Sequence, residues 1–571
     1  MNDKLNKSNK KQSFLQGALI LMIATGLVKI IGALYKIPLG NIIGETGMGY
    51  YQTAYDLYLP IYSLAMAGLP VAVSRMVAES IGLKRYKDAR RVLTISKKAF
   101  LFTGIIGFFL MLVVSYPFVV LTEQKLRALP AIVSIAPSIL FCCVMSSYRG
   151  YYEGLRNMKP TAISQVIEAF AKLVFGLIAA LIVKYLGYSY EIQAAAAIIS
   201  ISLGSFVGAF YLIFYNKKTS DGITEIQLLE SDDVTPNRLL LNKLIKIAIP
   251  VALGSLVVNI ASLVDVTTVQ SRLSSVVLEN PQLLAEMYPN MMTSLLESNK
   301  GNLDAAVSEI PTFLYGCYKG YAFSVYNLVP TITSVLGVSA LPTITAMWSS
   351  NDNTGLKINS ESAIRVASLI SMPCGFGIMA LSTPIMMLLY PGKPGAAISG
   401  PLLFVLGLCA IFAGVAMPLT NMLQAIGKQN IPLYNIFVGA LLKIIVNFTL
   451  VGIPEINIKG APIGTTVCYF YICIANLFFY IKFSKVKINF YKTLIKPIIA
   501  ALLCGISANT VYYFISARFS FMISTVLAVG CAVIVYVLAV LLLKILTKDD
   551  VLMLPKGEKI LKVLEKIKMI G

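Results

Sequence analysis

SFLQGALILMIATGLVKIIGALYKI (13–37) decides the fold: it carries only two charges, Lys29 and Lys36, in an otherwise apolar run. An α-helix rises about 1.5 Å per residue, so the run covers the ~30 Å hydrocarbon core of a bilayer. It follows the basic, polar stretch MNDKLNKSNKKQ (1–12), and it is too long for a signal-peptide core. No small-residue cleavage site follows, so it reads as a retained first helix. Stretches of the same kind recur at 48–70, 99–121, 127–148, 161–184, 192–215, 243–268, 311–343, 362–389, 399–425, 431–452, 461–483, 493–516 and 519–545. The expected total is fourteen.

Composition agrees. Of 571 residues, 57% are hydrophobic and 13% charged, against about 25% charged in soluble domains. Mean hydropathy is +0.76. Such a chain needs a bilayer over most of its surface, and the fold class is an all-α polytopic membrane protein.

The net charge of +21 does not point to nucleic acid, because its placement follows the spans. The loops on the side of both termini hold 35 Lys and Arg, the opposite loops hold 8, and 5 lie within spans. Cytoplasmic loops collect Lys and Arg. Both termini are therefore expected in the cytoplasm, with the protein in a bacterial plasma membrane. The absence of histidine excludes imidazole triads and His-ligated metal. The nine cysteines form no CxxC pair and read as small apolar residues. Nothing resembles a P-loop, a GxSxG elbow or a paired-carboxylate site. The expectation is a non-enzyme without metal or cofactor.

The two halves echo each other. GLPVAVSRMVAES (68–80) matches ALPTITAMWSSND (340–352), and YYEGLRNMKPTA (151–162) matches MLQAIGKQNIPLY (422–434). Pro70 and Pro342 are 272 residues apart, as are Pro160 and Pro432. This predicts two pseudo-symmetric six-helix lobes, 1–242 and 243–483, plus two C-terminal helices in 484–547. A polar insertion at 270–310 reads as one or two short helices on the outer side. The tail, 548–571, reads as an interfacial amphipathic helix drawn to anionic lipid, with Ile560, Leu561, Leu564 and Ile567 on one face.

Charges inside spans cost on the order of 2.5–3.5 kcal/mol, so those that persist face water or one another. The candidates are Lys29, Lys36, Asp56, Asp265, Lys319 and Lys443, with Glu168 and Lys172. Lys29 and Lys36 share a helix face without an acid, which suits an anionic ligand; Lys36 alternatively snorkels to the interface. Asp56 is placed to counter Lys29. Lys319 is either a cavity residue or an interface anchor. Lys443 needs a partner or a cavity. Glu168 and Lys172, four apart, read as a structural ion pair rather than as ligand contacts.

Three motifs carry a resemblance: the opening FLQGALILMIATGLVKIIGALYKIPLGNIIG (14–44), YDLYLPIYSLAMAGLPVAVSRMVAE (55–79) and RGYYEGLRNMKPTAISQVIEAFAKL (149–173). The chain resembles the polysaccharide-exporter branch of the multidrug/oligosaccharidyl-lipid/polysaccharide superfamily. Within it, the likeness is to the stage V sporulation protein B and lipid II flippase-like group. The resemblance implies two six-helix lobes around a cavity, and alternating access driven by a coupling ion or the membrane potential. It also implies a lipid-linked saccharide as substrate, with membrane lipids and wall-synthesis proteins as partners and no nucleic acid. Related flippases place arginines on the first, second and eighth helices. Here Lys29 falls at the first such position and Lys36 one residue from a second, while the middle of span two has Asp56 and tyrosines instead of an arginine, and span eight offers Lys319 rather than an aligned arginine. Multidrug export and a non-transporting scaffold are the competing readings.

Overall fold

The computed structural model describes residues 14–122, 126–231, 234–547 and Asp550. Among the described residues there is no strand. The chain divides into two compact units, Met1–Thr267 and Thr268–Gly571. The division falls inside the seventh span, later than the 242/243 boundary read from sequence, and the last two helices group with the second unit.

The first unit opens with α1 (Phe14–Met66), which is two helices joined at Gly44, whose φ of 67° favours glycine. Residues sixteen apart lie about 24 Å apart along a straight helix. Here the Tyr35 and Tyr51 rings are 6.3 Å apart, and the Lys36 ammonium donates to Gln52 at 3.4 Å. The chain therefore folds back at Gly44, and α1 supplies two spans. It is followed by α2 (Leu69–Gly82), α3 (Tyr86–Leu121), α4 (Leu129–Ile135), α5 (Pro137–Gly154), α6 (Lys159–Tyr185) and α7 (Tyr190–Lys218).

Close helix contact explains the RGYYEG run. Gly150 and Gly154, one turn apart on α5, meet α2 so closely that a Cβ at Gly150 would lie 2.6 Å from the Pro70 carbonyl oxygen. Small residues of this kind let membrane helices approach.

After α7, a connection containing α8 (Glu225–Leu229) is strapped to α3. Arg90 donates to Asp221 at 2.7 and 2.9 Å, Tyr151 donates to the same carboxylate at 2.9 Å, and the Thr235 N–H donates to Asp88 at 3.0 Å. Burial works to raise the Asp221 pKa, but the hydrogen bonds from Arg90, Tyr151 and the Ile223 N–H hold it below its ordinary value. The long helix α9 (Asn237–Glu279) then crosses the unit boundary.

In the second unit the polar insertion at 270–310 resolves into the end of α9, two short helices, α10 (Pro281–Met287) and α11 (Pro289–Ser298), and the start of α12 (Leu303–Tyr315). Asn302 caps α12 by accepting from the Ala305 N–H. A π-helical turn, Gly316–Ala322, carries Lys319 and leads through α13 (Phe323–Tyr326) into α14 (Leu328–Ser349). Then come α15 (Asn353–Ala380), α16 (Ser382–Leu389), α17 (Pro394–Ala425), α18 (Asn430–Leu450), α19 (Gly460–Ser484), α20 (Lys496–Ser516) and α21 (Phe521–Leu542). Among the described residues, thirteen helical stretches are long and apolar enough to span a membrane; the first, Ile20–Gly82, holds the α1 fold-back, so the stretches account for the fourteen expected spans.

The amphipathic tail read from sequence lies outside the described residues, except for Asp550. That carboxylate is buried, accepting from Arg365 at 2.6 and 2.9 Å and from Ser362 at 2.5 Å.

Candidate functional site

The second arm of α1 presents Tyr51, Tyr55, Tyr58 and Tyr62, spaced by four, three and four, which puts them on one helix face. Successive ring centroids are 6.4, 6.1 and 5.1 Å apart. From α6, Gln165, Glu168 and Lys172 form a second stripe with the same periodicity. Tyr55, Tyr58 and Tyr62 of the first stripe and all three residues of the second line one cavity of about 350 Å³ inside the first unit, with Tyr35 and Arg149 also in its wall.

Glu168 is paired, but not with Lys172. Its carboxylate accepts from Arg149 of α5 at 2.8 Å and from Ser205 of α7 at 2.9 Å. Arg149 is 7% exposed, and a guanidinium so buried needs an anion beside it. Its Nε donates to Ser164 at 3.0 Å. The ion pair expected from the four-residue spacing is thus replaced by a cross-helix pair from α5. Lys172 instead lies over two ring faces, 5.3 Å from the Tyr35 centroid and 5.6 Å from that of Tyr55. A ring face carries partial negative charge and attracts an ammonium.

Lys36 approaches the same ring, its ammonium 5.9 Å from the Tyr55 centroid. The two lysines are close enough for their charges to oppose each other. Lys36 also donates to Gln52, which donates in turn to Asp56 at 2.9 Å. Two cations therefore converge on Tyr55, while Glu168, four residues before Lys172, is committed to Arg149.

The remaining residues are distributed elsewhere. Lys29 is half-buried on the face of α1 beside the one that lines the cavity. Asp265 is buried on α9 and does not line it. In the second unit, Lys319 is buried over the Phe323 ring at 4.4 Å and the Tyr318 ring at 5.6 Å, and Lys443 is buried on α18. Sequence reasoning missed Arg149, Gln165 and the tyrosine stripe. Arg149 lies just past the 127–148 span, where a charge that ends an apolar run reads as loop; the stripe is visible in the spacing of Tyr51, Tyr55, Tyr58 and Tyr62.

The polysaccharide biosynthesis protein profile matches residues 14–348, more than half of the chain. The chain belongs to the polysaccharide biosynthesis protein family. The MatE profile matches residues 319–449, placing the family within the multidrug/oligosaccharidyl-lipid/polysaccharide superfamily. Stage V sporulation protein B of Bacillus subtilis is 23% identical over 552 residues, covering 95% of this chain and 98% of that protein. The lipid II flippase MurJ of the same organism is 24% identical over 511 residues, 86% of each chain. Among solved structures, the inward closed conformation of a lipid II flippase MurJ superposes with a TM-score of 0.62 at 15% identity, covering 91% of this chain and 98% of that one. An inward-facing multidrug-resistance transporter of the MATE family superposes with a TM-score of 0.57 at 16% identity, covering 81% and 98%. This polysaccharide biosynthesis family member is accordingly a multi-pass membrane protein with the superfamily's transporter fold.

Proposed function

We propose that this protein is a flippase that moves an undecaprenyl-pyrophosphate-linked saccharide from the inner to the outer leaflet by alternating access. The observation that carries the reading is the convergence of Lys36 and Lys172 on Tyr55 beside the cavity, with Glu168 neutralised by Arg149. That arrangement places two ammonium groups beside the cavity, with Lys172 in its wall, which suits an anionic head group. The relatives point to the same chemistry: a sporulation protein and a lipid II flippase match over most of their lengths.

Direction follows from charge. With the cytoplasm negative, moving one negative charge outward is favoured by about 2.3 kcal/mol per 100 mV. The membrane potential therefore assists export of a pyrophosphate-linked head group, and both termini lie in the cytoplasm on the Lys and Arg distribution. Multidrug export of cations calls for unneutralised acids in the cavity wall, whereas Glu168 is bound by Arg149.

The test is a topology-resolved flipping assay in proteoliposomes holding defined undecaprenyl-linked saccharides. Inside-out accumulation that rises with an inside-negative potential is the expected result. Export of organic cations with no movement of the lipid-linked saccharide would establish the competing reading instead.

A further inference from the structure

The cavity holds more than Lys172 in its wall. Its two walls are chemically opposite, and they run side by side. One wall is the aromatic stripe Tyr55, Tyr58, Tyr62; the other is the polar stripe Gln165, Glu168, Lys172. Lys172 lies against Tyr55, and the charges of Glu168 and Arg149 act on Tyr62, so the stripes face each other in antiparallel order. Seven residues of helix make each stripe about 10 Å long.

Gln165 supplies an independent pointer. Its Oε1 is buried and has no hydrogen-bond partner among the described residues. A buried acceptor without a donor costs about 1–3 kcal/mol and is seldom retained without a reason. A ligand bearing hydroxyl or amide N–H groups would satisfy it. The volume of about 350 Å³ sits at the small end of the ~300–1,000 Å³ range of ligand sites.

We infer that this cavity binds a pyranose ring of the head group, its C–H face on Tyr58 and Tyr62, its hydroxyls on Gln165 and Glu168, and its anionic substituent at Lys172. The physical basis is the ring quadrupole: the faces of the tyrosines are electron-rich, and the C–H bonds on one face of a pyranose carry partial positive charge. A phosphate alone has no use for the aromatic wall, and an organic cation has none for Lys172. The assignment rests on the export reading for its choice of ligand, but it is a statement about binding and is tested apart from transport.

The full-length protein in nanodiscs is titrated with three probes: inorganic phosphate, methyl N-acetyl-α-glucosaminide and N-acetylglucosamine 1-phosphate. Binding is read by calorimetry and by saturation-transfer NMR with irradiation of the aromatic protons. The sugar phosphate is expected to bind ~10-fold more tightly than phosphate, with saturation on the ring protons of one face. Tyr58→Leu with Tyr62→Leu removes that gain and leaves phosphate binding unchanged. Tyr58→Phe with Tyr62→Phe keeps both ring faces and keeps the gain, which controls for misfolding of the leucine pair. Lys172→Gln weakens both anions and leaves the neutral glycoside unaffected.

Equal binding of phosphate and sugar phosphate by the native protein would overturn the inference. So would a full gain in the leucine pair, or a lost gain in the phenylalanine pair. Failure of the export reading has a different signature: no flipping in proteoliposomes, with the tyrosine-dependent glycoside binding intact.

Discussion

The two units share landmarks but not chemistry. Pro160 and Pro432, 272 residues apart, both sit in the first turn of a spanning helix, α6 and α18. The same offset carries Arg149, Glu168 and Lys172 to Asn421, Ala440 and Ile444, and carries Tyr55, Tyr58 and Tyr62 to Asn327, Pro330 and Ser334. In the first unit the charges and tyrosines gather around a polar cavity. In the second, Lys319 lies over the Tyr318 and Phe323 rings, Tyr321 stacks on Tyr390 at 3.8 Å, and Asn435 and Asn476 link to Thr420 through hydrogen bonds. An open groove of about 320 Å³ there is lined mainly by apolar side chains, Phe376, Met379, Phe404, Leu502 and Ile506, with one amide, Asn509. Two helix starts can thus share a proline landmark while the charges and tyrosines around the first unit's cavity have no counterparts at the same offset.

The largest effect is expected where the first unit differs most. Arg149→Met leaves Glu168 as an uncompensated carboxylate in low dielectric, a loss on the order of 3–5 kcal/mol. Folded protein, measured by fluorescence-detected gel filtration, should fall sharply. Adding Glu168→Gln removes the stranded charge and should restore abundance, giving a strong positive coupling. Near-native abundance of Arg149→Met, with the loss appearing in Lys172→Met instead, would mean that Lys172 is the true partner of Glu168.

Lys172→Gln should behave differently, leaving abundance near the native level and reducing export by at least ~10-fold, the equivalent of about 1.4 kcal/mol. The matched change in the other unit, Lys319→Gln, should leave phosphate binding by the first-unit cavity unchanged. If both substitutions weakened phosphate equally, the contrast between the units would be wrong.

The smallest effect concerns the strap between α7 and α9. Asp221 has a depressed pKa in the folded protein, so its bonds to Arg90 and Tyr151 contribute fully above the ordinary carboxylate value of about 3.9. That contribution fades only as pH falls below this value toward the lowered one. Proteolysis of the 219–236 connection should be flat from pH 8 to pH 5 and rise only in stronger acid. Asp221→Asn should raise it at neutral pH.

Much of this architecture was legible in the sequence because bilayer physics writes itself locally. A span needs about twenty apolar residues, and a proline marks where a helix starts, so the spans and the 272-residue offset could both be read directly. The site was harder. Glu168 has a lysine four residues on, which local spacing makes a natural partner, yet its partner is Arg149, nineteen residues earlier on another helix. Such a pair is set by how α5 packs on α6 and α7, which no periodicity encodes. The fold-back at Gly44 is similar: it brings Lys36 to Tyr55, a contact that exists only once the two arms of α1 lie together.

The central claim is that the head group occupies the first unit's cavity, and photocrosslinking tests it most directly. A benzophenone amino acid is placed at Tyr62 or, in the second unit, at Tyr321, in protein that retains flipping activity. With a radiolabelled undecaprenyl-linked saccharide, the account predicts a crosslink at position 62 that N-acetylglucosamine 1-phosphate competes away, and none above background at position 321. An active protein that crosslinks at 321 and not at 62 would contradict it.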